Sequence, residues 1–191
     1  MMSKFKSNLV WIDLEMTGLN DDNIILEIAT LITDSNLEIL DEGPCIAIHR
    51  STEEMSTMEA WSLKHHTQSG LLKRVHESNI SLENAEKLTM QFLSKWVKTG
   101  EAPLCGNSVH IDRRFLRKEM PLLEHFLHYH IIDVSSVKQL ARRWYPNQKE
   151  PEKKREHLAL ADIRESVEEL RWYRDNIFKR VIKKDDGNII N

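Results

Sequence analysis

Short apolar stretches in the first quarter of the chain predict β-strands separated by tight turns. Residues 8–15 and 24–33 form the first two strands, and an Asp-Ser-Asn turn then leads into LEIL at 37–40. CIAIH at 45–49 follows the Gly43-Pro44 pair and is predicted as a further short strand. The connections are too short for helical crossovers, so the early strands should form an antiparallel meander.

From Ser51 the apolar positions recur every three or four residues, which is typical of helices. Ser81 can cap a helix whose apolar positions are Leu82, Ala85, Leu88, Phe92, Leu93 and Trp96. Residues 103–108 and 130–136 predict two more short strands, each followed by a helical stretch. A last long helix is expected from about 158 to 180. Strands that come first, followed by strands alternating with helices, predict an α/β domain around a mixed sheet.

The length and composition of the chain are those of one globular domain. With 191 residues, of which 40% are hydrophobic and 30% charged, the chain can bury a sizeable core. We expect a single domain over 1–180 and a loose tail at 181–191, where the apolar positions have no helical period. Cys45 and Cys105 are too few for a disulfide framework, which favours a reducing, cytoplasmic compartment.

Charge and hydropathy narrow the choice of partners. Acidic residues come too early in the chain for a signal-peptide core, and no apolar stretch reaches the length of a membrane span. The net charge of −3 gives no broad attraction to nucleic acid, so we do not expect binding to a long duplex. A nucleic-acid substrate would have to be held locally, over few phosphates or through bound metal.

The segment WIDLEMTGL, residues 11–19, places two carboxylates inside an otherwise apolar strand. Because the side-chain period of a strand is two, Asp13 and Glu15 leave the same face. Like charges this close raise each other's pKa unless a cation neutralises them. A surface strand with its polar face in water is the alternative interpretation, and it is the commoner one for an isolated Asp-x-Glu.

Three more candidate residues lie near predicted helix starts. Asp112 follows a Gly-Asn turn and, by itself, is explained as an acid at the N-terminus of a helix, where the helix dipole favours it. His157 and Asp162 are five positions apart, which is about 500° of rotation on a helix. They can converge only if His157 lies on the loop that approaches the helix. Taken alone, this pair is explained as a helix-start acid and a surface histidine.

Together these positions resemble the DEDDh family of 3′→5′ exonucleases, and within it the oligoribonucleases, across most of residues 8–178. The segments that carry the resemblance are WIDLEMTGL, EIATLITD, EGPCIAIH, CGNS…DRRFL, DVSS…LARRW and ADIRESVEEL. The resemblance implies an RNase H-like α/β fold, with a mixed five-stranded sheet flanked by helices. It also implies an enzyme that degrades very short RNA, chiefly dinucleotides, to mononucleotides.

The resemblance further implies a two-metal phosphodiesterase. Asp13, Glu15 and Asp162 would hold one divalent ion, and Asp13 would bridge to a second ion that Asp112 supports. Hard oxygen ligands suit Mg²⁺ or Mn²⁺, and two such ions can stabilise the attacking and the leaving oxygen of an in-line displacement. Histidine titrates near neutrality, so His157 would deprotonate the attacking water.

Substrate contacts are implied in the same way. Leu19 and Trp61 match residues that pack against the bases at either end of the substrate, and stacking on an aromatic ring is worth about 1–3 kcal/mol per base. The residues expected at the substrate's 5′ phosphate are His66, Ser108, His130 and Ser135. The family is homodimeric, and Tyr129 matches a tyrosine that reaches into the neighbouring site.

Simpler explanations exist for several of these residues. Trp61 could be a core tryptophan, His66 a surface histidine, and Ser108 and Ser135 ordinary cap or turn serines. His130 also departs from the family, which usually carries arginine there. Because histidine is shorter and only partly charged at pH 7, this departure weakens the expected phosphate contact without changing its kind.

Other departures lie beside the expected ligands. His110 and Ile111 replace the residues usual before the second acidic motif, and Ala161 stands where an additional aspartate is common. The ligand positions Asp112 and Asp162 themselves are intact.

Two other functions agree with part of the pattern. A proofreading or tRNA-trimming DEDDh exonuclease would share the five catalytic residues but would lack the 61–66 segment and the HYHIIDVSS stretch in this arrangement. A degenerate exonuclease fold could only bind oligonucleotides or a partner. The full acid set and the intact His157 argue against it, because a binding protein needs no catalytic base.

Overall fold

The computed structural model describes residues 8–147, 149 and 159–178, and a five-stranded sheet lies at their centre. The strands are β1 Leu9–Met16, β2 Ile25–Thr33, β3 Ile39–Ala47, β4 Pro103–Gly106 and β5 His128–Asp133. Their order across the sheet is β3-β2-β1-β4-β5. The β1–β2 and β2–β3 pairs are antiparallel, whereas β4 is parallel to both β1 and β5. The predicted meander and the predicted mixed sheet are therefore confirmed.

Helices cover both faces of this sheet. They are α1 Ala60–Gln68, α2 Leu71–Glu77, α3 Leu82–Leu93, α4 His110–Glu119, α5 Pro121–Phe126, α6 Val134–Trp144 and α7 Ala159–Asn176, with a 3-10 turn at Glu54–Thr57. The predicted cap of α3 is present, since the Ser81 hydroxyl accepts a hydrogen bond from the Asn84 N–H at 3.2 Å. The described part of the last helix ends at Asn176, four residues before its predicted end.

The alternation along β1 divides the core into two layers. Val10, Ile12 and Leu14 face the cluster formed with α3, α4 and α5. Trp11 faces the opposite cluster, which α6 and α7 complete. Because side chains alternate along a strand, Asp13 and Glu15 lie on the same face as Trp11. This face of β1 is therefore apolar core near its start and carboxylate-bearing near its end.

The LEIL and CIAIH segments form one strand rather than the two predicted. β3 runs through the Gly43-Pro44 pair, and its register with β2 shifts between Ala29 and Leu31, so two residues of β3 oppose one of β2. A proline is tolerated there because β3 is the edge of the sheet and the shift removes the need for its missing N–H. The glycine allows close packing, since a Cβ on Gly43 would lie 2.5 Å from the Phe92 ring.

The strand predicted at 130–136 is displaced towards the N-terminus. β5 begins at His128 and ends at Asp133, where the Asp133 carboxylate accepts from the Ser135 N–H at 2.9 Å and caps α6. An aspartate in the cap position ends the strand and starts the helix earlier than the apolar pattern suggests. The predicted tail at 181–191 and the candidate base His157 lie outside the described residues.

Candidate active site

Three carboxylates meet at the end of β1. Asp13, Glu15 and Asp162 each offer one oxygen, and these oxygens lie within 4.8 Å of one another. Asp162 is in the first turn of α7, and the apolar stripe of that helix packs it against β1 and β2. All three residues are partly buried. The alternative of a solvated surface strand is therefore wrong for this face of β1.

Asp112 approaches the same site from the opposite layer. It is buried in the first turn of α4, and its Oδ1 accepts a hydrogen bond from the Leu14 N–H at 3.0 Å. It lies outside the group of three, but close enough for its charge to act on Asp13. The helix-start position predicted for it is correct, and the bond to Leu14 fixes its carboxylate against β1.

Two acids of β1, Asp13 and Glu15, hold their protons more tightly than ordinary carboxylic acids. Burial, and then the charges of Asp112, Glu15 and Asp162, hold the pKa of Asp13 well above its usual range. Burial, followed by the charges of Asp162, Glu27 and Asp112, raises the pKa of Glu15 to about 8.

Asp112 shows the same behaviour. Burial raises its pKa to about 7, although the hydrogen bond from Leu14 acts in the opposite direction. A divalent cation would reverse this preference, because it stabilises the ionised form of each acid. The donor set, which is carboxylate oxygen throughout, fits a hard divalent ion such as Mg²⁺.

An ion pair between a buried glutamate and a partly exposed arginine lies next to these carboxylates. Glu27 is opposite Glu15 in the β1–β2 pairing and is 1% exposed. Arg74 of α2 forms a salt bridge with its carboxylate. Neither residue of this pair was among the sequence candidates, although Glu27 is an acid inside the apolar stretch IILEIATLIT. The pair contributes to the electrostatics of the site, because, after burial and Asp162, the charge of Glu27 raises the pKa of Glu15 and that of Arg74 lowers it.

His66 is a buried residue next to the Glu15 carboxylate. It is 1% exposed, with Nε2 2.8 Å from the Met16 carbonyl oxygen and Nδ1 3.8 Å from Glu15 Oε2. The surface-histidine alternative is therefore wrong. In this position its ring contacts the end of β1 and the Glu15 carboxylate.

The two candidate serines are brought together at the ends of β4 and β5. The Ser108 and Ser135 hydroxyl oxygens are 3.1 Å apart, and Ser108 adopts a positive φ of 53°. Asp133 Oδ1 accepts from both backbone N–H groups, at 3.0 and 2.9 Å. Its other oxygen lies 3.3 Å from Nδ1 of His110. Asp133 was not among the candidates, but its place directly before Ser-Ser at a strand end is typical of a helix cap.

The remaining candidates are exposed. Leu19 and Trp61 are 53% and 58% exposed, so the core alternative for Trp61 is wrong. Tyr129 is 76% exposed on the edge strand β5. His130, the next residue, is also exposed, and its N–H donates to Nδ1 of His128 at 3.0 Å.

Comparison with known proteins places this geometry in a family. The family model described as Exonuclease, RNase_T, matches residues 10–170. The oligoribonuclease of Photorhabdus laumondii is 54% identical over 180 residues, which are 93% of this chain and 99% of that protein. The chain belongs to the oligoribonuclease family. The oligoribonuclease of Vibrio cholerae serotype O1 is similar at 53% identity over the same share of both chains. The predicted class of enzyme, an exonuclease, is thereby confirmed.

Solved structures show the same fold in more distant proteins. Exonuclease I of Methylocaldum szegediense matches 90% of this chain with a TM-score of 0.68 and 14% identity. The zinc-bound E. coli exonuclease I complex with single-stranded DNA also matches 90%, with a TM-score of 0.71 and 12% identity. This chain spans 41% of the length of each of those two chains. The likeness confirms the RNase H-like fold.

Within the described residues, the helices are too short or too polar to cross a membrane.

Proposed function

We propose that this oligoribonuclease-family chain degrades very short RNA from its 3′ end, with dinucleotides as the main substrate. The observation that carries the proposal is the meeting of Asp13, Glu15 and Asp162 within 4.8 Å, in a chain that aligns with oligoribonucleases along nearly its whole length. The family and this cluster support divalent-metal dependence.

The four acids of the site would bind two metal ions. Asp13, Glu15 and Asp162 would hold one Mg²⁺ or Mn²⁺ ion, while Asp13, supported by Asp112, would contribute to a second. When bound, two such ions stabilise negative charge on the attacking and leaving oxygens of the scissile phosphate. Buried carboxylates fixed by backbone contacts, such as Asp112 with Leu14, arrange that charge in advance. His157 would take the proton of the attacking water.

The exposed side chains support a site for two bases. Leu19 and Trp61 would contact the bases at either end, and the exposed indole of Trp61 is suited to stacking. Ser108 and Ser135, placed together by Asp133, would bind the 5′ phosphate together with His130. His66 is implied by the family resemblance at the same phosphate, and at 1% exposure it is the least accessible of these four residues.

We also propose that the chain works in the cytoplasm as a homodimer in which Tyr129 reaches the partner's site. Its high exposure on an edge strand supports this assignment.

Sedimentation should give about twice the monomer mass, in line with the commonest closed symmetry. Tyr129→Ala should lower activity while the thermal unfolding curve is unchanged. Full activity in a monomeric wild-type protein would contradict the role of Tyr129 in the partner's site.

The function is tested with end-labelled RNAs of two to seven nucleotides and Mn²⁺. We expect kcat/KM to be highest for the dinucleotide and to fall as length increases. A rate that rises with length would instead favour a proofreading or trimming exonuclease. Binding without hydrolysis at every length would favour an oligonucleotide-binding protein.

A further inference from the structure

The two proposed base contacts are joined by a third residue, Glu59. One oxygen of its carboxylate, Oε1, accepts hydrogen bonds from the Leu19 N–H at 3.1 Å and from Asn20 Nδ2 at 2.8 Å. Glu59 is also the residue from which α1 begins, and Trp61 is the second residue of that helix. A single side chain therefore connects the Leu19 backbone to the start of the helix that carries Trp61.

The backbone of Glu59 strengthens this connection. Its N–H donates to the Thr17 carbonyl oxygen at 2.8 Å, and its own carbonyl oxygen accepts from the Leu63 N–H at 2.9 Å. The first bond attaches the segment to the end of β1, and the second is part of the first turn of α1. The backbone bonds of Glu59 thus set the position of Trp61, two residues further on, relative to the end of β1.

Gly18 leaves room for the Glu59 carboxylate because it has no side chain. A Cβ on Gly18 would lie 2.3 Å from Glu59 Oε1 and 2.5 Å from Asn23 Oδ1. Asn23 Oδ1 itself accepts from the Asn20 N–H at 2.7 Å, so this contact also belongs to the loop that carries Leu19. Glu59 therefore packs closely against the loop and does not merely reach it through solvent.

The loop is held from its other side by α4. Arg114 donates to the Leu19 carbonyl oxygen, and also to Asp21 Oδ1 at 3.1 Å. Lys118 donates to the Asp21 and Asn23 carbonyl oxygens at 2.6 and 2.8 Å. Because α4 fixes one side of the loop, the contact with Glu59 sets its distance from α1.

We propose that Glu59 is a positioning residue, which fixes the separation between Leu19 and Trp61 and thereby the preference for two-base substrates. This inference rests on the proposed function, since the separation matters only if both side chains contact bases of one short substrate. With the correct spacing both base contacts act on one substrate at once, and stacking on an aromatic ring contributes to the binding of each base. Loss of the Glu59 carboxylate should therefore weaken dinucleotide binding and leave the chemical step nearly unchanged.

The test compares Glu59→Ala, Glu59→Gln and wild type on a 5′-phosphorylated dinucleotide and a heptanucleotide with Mn²⁺. For Glu59→Ala we expect the dinucleotide KM to rise about tenfold, within the range that stacking on one aromatic ring provides, with kcat within about twofold. The ratio of the dinucleotide kcat/KM to the heptanucleotide kcat/KM should fall. Glu59→Gln should restore most of the wild-type KM, because its amide oxygen can accept the same two hydrogen bonds.

Two further variants separate positioning from folding. Glu53→Ala is the matched control, since Glu53 is an exposed glutamate of the same segment whose side chain makes no cap hydrogen bond, and it should behave as wild type. Asn20→Ala removes one partner of Glu59 without touching α1, and should raise the dinucleotide KM in the same direction by a smaller factor. Thermal unfolding is recorded for each variant.

The outcomes distinguish this inference from the proposed function. An active wild type with an unchanged KM in Glu59→Ala and Asn20→Ala would overturn the inference alone. Equal losses of kcat on both substrate lengths, with no rescue by glutamine, would also overturn it, because they indicate a purely structural role. A wild type that does not hydrolyse dinucleotides would overturn the proposed function and the inference with it.

Discussion

Replacing Glu15 by glutamine should stabilise the metal-free protein at alkaline pH. Burial and neighbouring acids raise the pKa of Glu15 from its ordinary value of 4.5 to about 8. An acid with a higher pKa in the folded chain binds its proton more tightly there, so the free energy of unfolding falls as the pH rises from about 4.5 to 8. Glutamine has nearly the same shape and carries no charge. It should therefore remove this loss.

The magnitude follows from the pKa of Glu15. Raising a pKa by one unit changes the free energy of folding by about 1.4 kcal/mol, so a rise from 4.5 to about 8 corresponds to about 5 kcal/mol for the fully ionised acid. At pH 8, where half of the Glu15 side chains are still protonated, the difference is about 4 kcal/mol. The Glu15 side chain is only 14% exposed, so solvent screens its charge weakly. Side-chain movement and entry of water reduce the loss, and we expect about 2–4 kcal/mol. For a chain of this length, this difference is about 5–15 °C in Tm.

The assay is thermal unfolding of wild type and Glu15→Gln in EDTA at pH 5, 6, 7 and 8. The two curves should converge at pH 5 and separate as the pH rises, with the variant more stable. Glu42→Gln is the matched control on strand β3, because a hydrogen bond from Arg164 lowers the pKa of Glu42, so this substitution should not stabilise the protein. Added Mg²⁺ should stabilise wild type at pH 8 much more than Glu15→Gln. A wild-type Tm that stays constant from pH 5 to 8 in EDTA would refute the reasoning.

Further predictions concern catalysis. Asp162→Ala should reduce dinucleotide hydrolysis by several orders of magnitude, because it removes a proposed metal ligand. Removal of the metal with EDTA should have the same effect. Activity that survives chelation would exclude the metal mechanism. His157→Ala should leave Mn²⁺ binding intact by calorimetry while turnover falls by about 10²–10⁴; a collapse of metal affinity would instead make His157 a ligand. His130→Arg should increase the preference for a 5′-phosphorylated dinucleotide over the unphosphorylated one, because arginine stays charged and can bind two phosphate oxygens at once. An unchanged preference in His130→Arg would show that residue 130 does not face the phosphate.

Most of the fold was predictable because local patterns determine it. The two-residue period placed Asp13 and Glu15 on one face of β1, and the apolar stripe of α7 (Ile163, Val167, Leu170 and Tyr173) predicted the helix that brings Asp162 to them. The error at Gly43-Pro44 has a physical reason. Proline and glycine usually end a strand, but at a sheet edge a local shift of register accommodates both.

The contacts that organise the site were not predictable from local patterns. Glu27 meets Arg74 across 47 positions of the chain, and Glu59 meets Leu19 across 40. Asp133 joins Ser108 from 25 positions away. Each of these acids alone is compatible with an ordinary solvated side chain. Only tertiary packing decides which of them is buried and which partner it meets.

The geometry of β1 links the stability of the fold to its dependence on metal. The packing that buries Trp11 against α7 also partly buries Asp13 and Glu15, which follow it on the same face. Burial is the largest cause of the raised pKa of both acids. In a more exposed site the acids would ionise at neutral pH without a bound cation. Their carboxylates would be less fixed, however, and water would screen their charge more strongly. The partly buried site instead favours protonated acids in the absence of a cation, and a bound divalent cation would displace those protons. Metal affinity should therefore increase with pH most steeply between about 6 and 8, where these acids would otherwise remain protonated.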